Sequence, residues 1–241
     1  MNIVIDQGNT STKAAVFDER KMLSSFIFKP LTASKLLRLL NEFSPSKGIL
    51  CSVTAIKPEI VSILEKRLIH FVVLDESLPL PIQSVYRTPE TLGKDRIAAV
   101  VGAWTQYPGK SILVIDAGSA ITYDFIDASG IYKGGNISPG MTMRFKALNA
   151  YTDRLPLLNE CGELLDLGTD TETAIRSGVI SGIIKEIDAY IGDFKRKYPD
   201  LLVFLTGGHS FYFETKLKNS IFADGNLVLL GLNEILNYQN Y

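Results

Sequence analysis

The chain of 241 residues has little cysteine and histidine, with two of each, and a single tryptophan. Cys51 and Cys161 lie far apart and lack the close spacing of metal-binding pairs or of a disulfide framework. We therefore expect both thiols to be reduced, as in the cytoplasm, and to fill the core. His70 and His209 have no carboxylate or thiol at ligand spacing, so we expect structural roles for them rather than catalytic or metal-binding ones.

Other missing features exclude further classes of protein. The formal net charge is −1, and basic residues do not cluster with aromatic ones, so we expect no nucleic-acid partner. No run of about 20 apolar residues could span a bilayer, and the N-terminus lacks the basic and apolar segments of a signal peptide. A glycine-rich Walker loop is also absent. With 46% hydrophobic residues, the composition predicts a globular protein that binds small molecules and no membrane.

One phrase occurs twice in the chain. Residues 3–10 read IVIDQGNT and residues 113–120 read LVIDAGSA. Each phrase opens a series of three predicted strands separated by turn residues. The predicted strands cover residues 3–6, 12–17 and 22–28 in the first series and residues 111–116, 120–127 and 131–137 in the second. Such a repeat indicates that the chain contains two related halves.

After each series the hydrophobic period changes from two to about 3.6, which is typical of helices. Predicted helices cover residues 33–43, 58–68, 97–104, 141–149, 171–197 and 227–238, and further strands cover residues 48–53, 70–74 and 201–205. The pattern predicts two α/β lobes with mixed sheets covered by helices, at residues 1–107 and 108–241. Small ligands tend to bind in clefts between lobes, so we expect the two repeated turns to face such a cleft.

The repeated turns combine an aspartate with a glycine, at Asp6 and Gly8 and at Asp116 and Gly118. Backbone N–H groups of glycine turns can bind anions, and carboxylates can hold a metal ion or its waters, which together suit a nucleotide triphosphate. A strand that ends in Asp-x-Gly is also a common start of a plain turn. One such phrase alone favours the plain turn, whereas the pair favours a nucleotide site.

Several motifs in order along the chain resemble those of type III pantothenate kinases, members of the acetate kinase, sugar kinase, Hsp70 and actin superfamily. They lie at residues 6–10 (DQGNT), 93–96 (GKDR), 116–122 (DAGSAIT), 130–135 (GIYKGG), 137–140 (ISPG), 171–178 (TETAIRSG) and 206–208 (TGG). The resemblance implies a duplicated ribonuclease-H-like (actin-like ATPase) fold whose lobes contain mixed five-stranded sheets. It implies ATP-dependent phosphorylation of pantothenate by a homodimer that requires Mg²⁺ and a monovalent cation, K⁺ or NH₄⁺.

By resemblance, the first turn and part of the second bind ATP. The expected ATP-binding residues are Asp6, Gln7, Gly8, Asn9, Thr10, Ser11, Thr12, Lys13 and Ser119. Asp6 would hold hydrated magnesium, and Asp116 would hold the monovalent cation. Lys13 lies several residues beyond the turn, so it could instead be an exposed strand residue. Ser119 departs from the usual Gly-Thr-Ala of the family but retains a hydroxyl that can donate to a phosphate.

The resemblance also assigns a substrate site. Its expected residues are Tyr86, Gly93, Lys94, Asp95, Arg96 and Thr171. Asp95 would act as the general base that accepts the proton of the attacking hydroxyl, and Arg96 would hold the substrate carboxylate, which its planar guanidinium suits. Thr171 would contact the substrate of the partner subunit.

Each of these assignments has an ordinary structural alternative. Asp95 precedes the predicted helix 97–104 and could be its N-cap, and Tyr86 could be a half-buried aromatic. Asp170 or Thr171 is expected to cap the helix 171–197. Residues 206–208 would bend around the adenosine, or they could form a plain turn.

Two other functions remain open at this point. One is another kinase of the same superfamily that acts on a sugar or a small acid, because fold-level analogy does not identify a substrate. The other is a non-catalytic transcriptional accessory protein, since some relatives of the family have been described in that way.

Overall fold

Two mixed β-sheets and seven α-helices make up the structure, a computed structural model that describes residues 1–239. The first sheet has the strand order β3-β2-β1-β4-β5. Its strands are β1 (Asn2–Gln7), β2 (Thr12–Asp18), β3 (Lys21–Phe28), β4 (Lys47–Ser52) and β5 (His70–Val73). Strands β1, β2 and β3 pair antiparallel, whereas β1, β4 and β5 pair parallel. The sheet is therefore mixed, as the sequence predicts.

The second sheet has the strand order β11-β10-β7-β8-β9-β6. Its strands are β6 (Gln83–Ser84), β7 (Ile112–Ala117), β8 (Ala120–Ile126), β9 (Ile131–Pro139), β10 (Leu202–Thr206) and β11 (Phe222–Ala223). The expectation of five strands in each sheet is therefore wrong for this one. The strands that the sequence did not predict are β6 and β11, and each pairs with its neighbour over only two residues.

The helices follow the predicted positions closely. They are α1 (Ala33–Phe43), α2 (Pro58–Arg67), α3 (Lys94–Gln106), α4 (Met141–Ala150), α5 (Thr171–Lys197), α6 (Ser210–Glu214) and α7 (Leu227–Tyr238). Helix α6 was not predicted, and α3 is longer than the predicted range 97–104. In the part of the chain that the structure describes, no helix is both long and apolar enough to cross a bilayer.

The chain divides into two compact units. The first contains Met1–Gly109, Ile126–Gly134 and the C-terminal segment from Asn226, and the second contains Lys110–Phe125 and Gly135–Gly225. The lobes expected at residues 1–107 and 108–241 stay a prediction, because a division into compact units does not test where the two repeated halves begin and end. Helix α7 contacts β1, β4 and α3, so its contacts group it with the first unit.

The core of the first unit lies on both faces of its sheet. On one face, Ile3 and Ile5 of β1 pack with Leu36 of α1 and Leu64 of α2. On the other face, α3 and α7 cover β4. Because β1 and β4 are buried on both faces, their carboxyl ends are held firmly, and the first repeated turn begins at one of these ends.

Helices α3 and α7 contact each other through glycine. A Cβ atom on Gly231 would lie 1.8 Å from the carbonyl oxygen of Ala98, and one on Gly102 would lie 2.2 Å from that of Leu227. These distances are far below van der Waals contact, so only glycine allows the two backbones to approach this closely. The contact positions α3, whose first turn carries Asp95.

The second unit has a separate core. Ile180, Ile183 and Ile187 of α5 pack against Leu113 and Ile115 of β7. Cys161 lies in this unit and is exposed, so the expectation that it fills the core is wrong, whereas Cys51 is fully buried. Cys161 lies between α4 and α5, a segment in which hydrophobic residues do not follow a helical or strand period.

Candidate active site

The first repeated phrase forms the end of β1, a turn and the start of β2. Asp6 is paired with Lys13 across the two strands, and Gln7 is paired with Thr12. The N–H group of Gly8 donates to the carbonyl oxygen of Ser11 at 3.0 Å, which closes the turn. The other two turn residues, Asn9 and Thr10, are exposed.

Gln7 has polar partners of its own within the first unit. Its side-chain amide donates to Thr54 Oγ1 at 2.7 Å and to the carbonyl oxygen of Ala55 at 3.1 Å. These bonds tie the end of β1 to the loop after β4. The side chain of Gln7 therefore supports the position of the turn.

Asp6 carries an unsatisfied acceptor. Its Oδ1 atom is buried and has no hydrogen-bond partner among residues 1–239. Burial and then the negative charge of Asp95 raise the pKa of Asp6 to about 6, against the opposing effect of Lys13. A buried carboxylate near a second carboxylate is stabilised by a cation, because a nearby positive charge favours its ionised form.

Asp95 lies in the first turn of α3, not before it. The N-cap is Gly93, which makes no side-chain capping bond, and the helix begins at Lys94. The alternative that Asp95 is the N-cap is therefore wrong. Asp95 Oδ1 accepts a hydrogen bond from the N–H group of Arg96 at 2.8 Å. A carboxylate at this position is favoured by the positive end of the helix dipole.

Lys94 points to a different set of partners. Its ammonium group lies 3.2 Å from Glu76 Oε2 and donates to the carbonyl oxygen of Pro89, also at 3.2 Å. Lys94 thereby holds the segment before α3 against the start of the helix. Its place among the expected substrate-binding residues stays a prediction.

Arg96 is buried, with 7% of its surface exposed, in an aromatic environment. Its Nη2 atom donates to the hydroxyl of Tyr132 at 3.3 Å, and its guanidinium lies 6.0 Å from the ring centroid of Tyr86. The two tyrosine rings are 6.1 Å apart. The structure thus brings Tyr86 and Arg96 together, as the resemblance implies, and adds Tyr132.

Tyr132 is the residue that sequence reasoning missed. It lies in the motif at residues 130–135, but no role was assigned to it there. Its side chain is fully buried, and β6 pairs with β9 at Ser84 and Tyr132. The sequence signal for it is a tyrosine inside the predicted strand 131–137. A tyrosine that is buried in a strand needs a polar partner for its hydroxyl, and so marks a polar contact in the interior.

Cys51 lies on β4, the strand next to the one that carries Asp6. It is paired with Asp6 in the parallel register of β1 and β4. Burial, and then the charges of Asp6 and Asp95, hold the pKa of its thiol well above its usual value, while Lys94 acts against them. A thiol in this environment is unreactive, which fits the expected role as core filler.

The second repeated phrase, in the second unit, forms a tighter turn. The N–H group of Gly118 donates to the carbonyl oxygen of Ala120 at 3.0 Å. Asp116 is paired with Thr206 in the parallel register of β7 and β10. A Cβ atom on Gly207 would lie 2.4 Å from Asp116 Oδ1, and Gly207 has a φ of +96°. The motif at residues 206–208 therefore packs on Asp116, and its role toward adenosine stays a prediction.

Ser119 is exposed at the tip of this turn. Its carbonyl oxygen accepts a hydrogen bond from the N–H group of Gly140 at 3.2 Å. A Cβ atom on Gly140 would lie 2.3 Å from that oxygen and 2.5 Å from the carbonyl oxygen of Gly118. The motif at residues 137–140 therefore supports the turn that carries Ser119.

Thr171 is the first residue of α5 and is exposed. Of the two expected caps, Asp170 is the N-cap, and its side chain accepts from the N–H group of Thr173 at 2.9 Å in a capping box. The exposed Thr171 is therefore not needed to cap the helix. Within residues 1–239, no group of three or more histidine, cysteine or acidic side chains is arranged to hold a metal ion.

Comparisons with known proteins address the family of this chain. Residues 2–193 match the model of the family described as type III pantothenate kinase. A type III pantothenate kinase of Bacteroides fragilis is 52% identical over 240 residues, which cover 100% of this chain and 99% of that protein.

Two solved structures address the fold. One, from Campylobacter jejuni, is described as a candidate Baf family transcriptional activator; it has a TM-score of 0.63 at 23% identity and covers 98% of both chains. The other, from Sinorhizobium meliloti, is described as a candidate 2-dehydro-3-deoxygalactonokinase; it has a TM-score of 0.58 at 15% identity and covers 99% of both chains. At these identities the likeness concerns the fold alone, and it confirms the expected α/β actin-like fold. The sequence resemblance is confirmed as well: the chain belongs to the type III pantothenate kinase family.

Proposed function

We propose that this chain transfers the γ-phosphoryl group of ATP to the primary hydroxyl of pantothenate, the first step towards coenzyme A, with Asp95 as the proton acceptor. Membership of the family supports the reaction and both substrates. The observation that carries the assignment of residues is the buried Oδ1 atom of Asp6, which has no hydrogen-bond partner among residues 1–239 and feels the negative charge of Asp95.

In the proposed reaction, the hydroxyl oxygen of pantothenate attacks the γ-phosphorus while the bond to the bridging oxygen of ADP breaks. The hydroxyl proton passes to Asp95, and ADP leaves with the bonding electron pair. A carboxylate is too weak a base to ionise an alcohol beforehand, so Asp95 orients the hydroxyl and takes its proton late. The bond from the N–H group of Arg96 to Asp95 fixes the orientation of the carboxylate.

We assign magnesium to Asp6. The buried Oδ1 atom without a partner among the described residues suits a cation or its bound water, and carboxylate oxygen is a donor that Mg²⁺ prefers. When bound, Mg²⁺ neutralises charge on the phosphates. The exposed residues Asn9 and Thr10, together with Gly8 and Lys13, are assigned to the phosphate oxygens of ATP.

We assign the monovalent cation, K⁺ or NH₄⁺, to Asp116. Its Oδ1 atom lies where a side chain at position 207 would collide with it, so Gly207 preserves space beside the carboxylate. Ser119, which is exposed in the same turn, is assigned to a phosphate of ATP.

We assign the carboxylate of pantothenate to Arg96. Tyr132 and Tyr86 hold the guanidinium in place, and a buried arginine binds a carboxylate strongly because little water competes with it. Thr171 is assigned to the substrate of a partner subunit, so a homodimer is part of the proposal. The enzyme is proposed to act in the cytoplasm without a nucleic-acid or membrane partner.

The proposal is tested by measuring ADP release with ATP, Mg²⁺ and pantothenate, in potassium and in sodium, with sugars and acetate as control substrates. We expect turnover that depends on pantothenate and rises with potassium. Turnover only with a control substrate would favour another kinase of the superfamily. Nucleotide binding without turnover on any substrate would favour an accessory protein.

The role of Asp95 is tested by Asp95→Asn. We expect kcat to fall by about 10²–10⁴-fold, the range typical of general base catalysis, with a small change in KM. The matched control is Asp18→Asn, which removes the same charge from an exposed residue at the end of β2. A nearly normal kcat in Asp95→Asn would overturn the assignment.

A further inference from the structure

A network of polar side chains lies in the second unit, next to the motif at residues 137–140. Arg144, in the first turn of α4, donates from Nε to the carbonyl oxygen of Pro139 at 2.8 Å. Its Nη2 atom donates to Ser138 Oγ at 2.9 Å and to Glu186 Oε2 at 2.6 Å. One guanidinium thus joins the end of β9 to the middle of α5.

Glu186 has a second partner in the same network. Its Oε1 atom accepts a hydrogen bond from the hydroxyl of Tyr123, on β8, at 2.8 Å. The ring of Tyr123 stacks on that of Tyr190 with centroids 4.0 Å apart. Both oxygens of the carboxylate are therefore engaged, one by α4 and one by β8.

The ion pair of this network is largely protected from water. The side chains of Arg144 and Glu186 are 21% and 25% exposed. Burial would raise the pKa of Glu186, but its hydrogen bonds to Arg144, Ser138 and Tyr123 hold it below its usual value. A protected pair with direct hydrogen bonds fixes geometry more firmly than the exposed pair of Asp193 and Arg196 on the same helix.

The segment held by Arg144 leads directly to the second repeated turn. Pro139 and Ser138 precede Gly140, whose N–H group bonds to the carbonyl oxygen of Ser119. The backbone of Gly140 lies so close to Gly118 and Ser119 that a Cβ atom would collide with both. Any shift of residues 138–140 is therefore transmitted to the turn, because close-packed groups cannot move independently.

From this chain of contacts we infer that Arg144 and Glu186 are positioning residues for the nucleotide: they brace residues 138–140 against Gly118 and Ser119 and so fix the Ser119 turn. The inference rests on the proposed role of Ser119 toward an ATP phosphate. It concerns residues outside the turn, which sequence motifs did not mark as functional.

The test compares Glu186→Gln with Asp193→Asn. Both substitutions change a carboxylate of α5 to its amide, but only Glu186 contacts the network. The affinity for a non-hydrolysable ATP analogue is measured by calorimetry, and KM is measured for ATP and for pantothenate. We expect Glu186→Gln to weaken analogue binding and to raise KM for ATP by about 5–10-fold, with KM for pantothenate changed less than twofold. Asp193→Asn should change neither.

Two further variants keep the test decisive. Arg144→Lys retains the charge but loses the forked contact with Pro139 and Ser138, so we expect a similar loss of affinity. If Glu186→Gln does not fold, Tyr123→Phe removes one hydrogen bond of the same carboxylate, and a loss of about 2–3-fold is expected. Unchanged affinity in folded Glu186→Gln and Arg144→Lys, or in Tyr123→Phe where it is the variant used, would overturn the inference.

The same experiment separates this inference from the proposed function. If the wild-type protein binds the analogue but does not phosphorylate pantothenate, the proposed function fails while the binding comparison still decides the inference. If the wild-type protein phosphorylates pantothenate and Glu186→Gln binds normally, only the inference fails. Absence of analogue binding in the wild type would overturn both.

Discussion

The two repeated turns share a sequence phrase but differ in what surrounds them. In the first, four residues separate the strands, and a Cβ atom on Gly8 would meet only Ser11 of the same turn, at 3.3 Å. In the second, two residues separate the strands, and Gly140 and Gly207 crowd the backbone of the turn. The repeated phrase therefore forms a longer, open turn in the first unit and a shorter turn, braced by neighbouring backbone, in the second.

This difference suits the two turns to different modes of ligand binding. An open turn with exposed polar residues can adapt to the phosphates of a ligand, whereas a braced turn presents its groups in a fixed geometry. Pre-organised groups lose less conformational entropy when a ligand binds. We therefore expect substitutions in the second turn to lower both the stability of the fold and the affinity for a ligand. Substitutions in the first turn should act mainly through the electrostatic energy of its charged groups.

The largest effect on this comparison is expected for Gly207→Ala. The φ of +96° is costly for alanine, and the new Cβ atom would lie 2.4 Å from Asp116 Oδ1 and 2.6 Å from the backbone of Ala117. We expect the free energy of unfolding to fall by about 2–4 kcal/mol, the sum of backbone strain and overpacking. Urea denaturation followed by circular dichroism measures this change.

Gly8→Ala is the matched substitution in the first turn. Gly8 does not have a positive φ, and its single close neighbour, the carbonyl oxygen of Ser11, belongs to the same exposed turn. The loss should therefore be about 1 kcal/mol or less. Equal losses in the two variants would show that the second turn is not the more tightly braced one.

A second prediction concerns the charge of the first turn. Asp6→Asn should abolish turnover but stabilise the ligand-free protein at pH 7 by about 1–3 kcal/mol, because each unit of pKa shift corresponds to about 1.4 kcal/mol. The pKa of Asp6 is raised from 3.8 to about 6 in the folded protein. The folded state therefore binds the proton more tightly than the unfolded state does, and wild-type stability falls as the pH rises through this range.

The pH dependence distinguishes this cause from a packing effect. The advantage of Asp6→Asn should be full above about pH 6 and should disappear below about pH 4, where Asp6 is protonated in both states. Thermal unfolding from pH 4 to pH 8 measures it. With Mg²⁺ and ATP the wild-type protein should gain more stability than the variant, since a ligand stabilises the state to which it binds. A constant advantage at every pH would exclude the electrostatic explanation.

The sequence predicts this fold well where local signals agree. Helices α1, α5 and α7 match their predicted ranges to the residue, because each has a long run of regularly placed apolar residues; Thr32 and Asp170 also cap α1 and α5. Helix α3 starts three residues before its prediction, since Gly93 gives no capping signal. Strands β6 and β11 are defined by pairing with distant strands, and two residues are too few to show a period.

The candidate site divides in the same way. Asp6, Asp95 and Asp116 stand out because they lie within the motifs at residues 6–10, 93–96 and 116–122, and the hydroxyl of Ser119 can be read directly from the sequence. The unsatisfied oxygen of Asp6 and the hydrogen bond from Arg96 to Tyr132 depend on tertiary contacts. No local pattern records such contacts, because the partners come from separate segments of the chain.

The smallest expected effect on turnover concerns the two cysteines, whose reactivity tests how far the openness of the first turn extends. Cys51 lies beside Asp6 in β4 and is fully buried, whereas Cys161 is exposed. Because a thiol reacts through its thiolate, burial and the raised pKa should make Cys51 at least about 100-fold slower than Cys161 toward a disulfide reagent at pH 8. One thiol should therefore react rapidly in the native protein, and two in denaturant.

Cys161→Ser identifies the rapid thiol and should leave turnover unchanged. If one rapid thiol remains in that variant, Cys51 is accessible in the native protein, and the strand ends beneath the first turn open to reagents. If none remains, the openness is confined to the turn residues themselves, and Asp6 stands on a closed strand end. The second outcome is the one that a raised pKa for Asp6 requires, because water reaching Cys51 would also solvate the neighbouring carboxylate and lower its pKa toward the ordinary value.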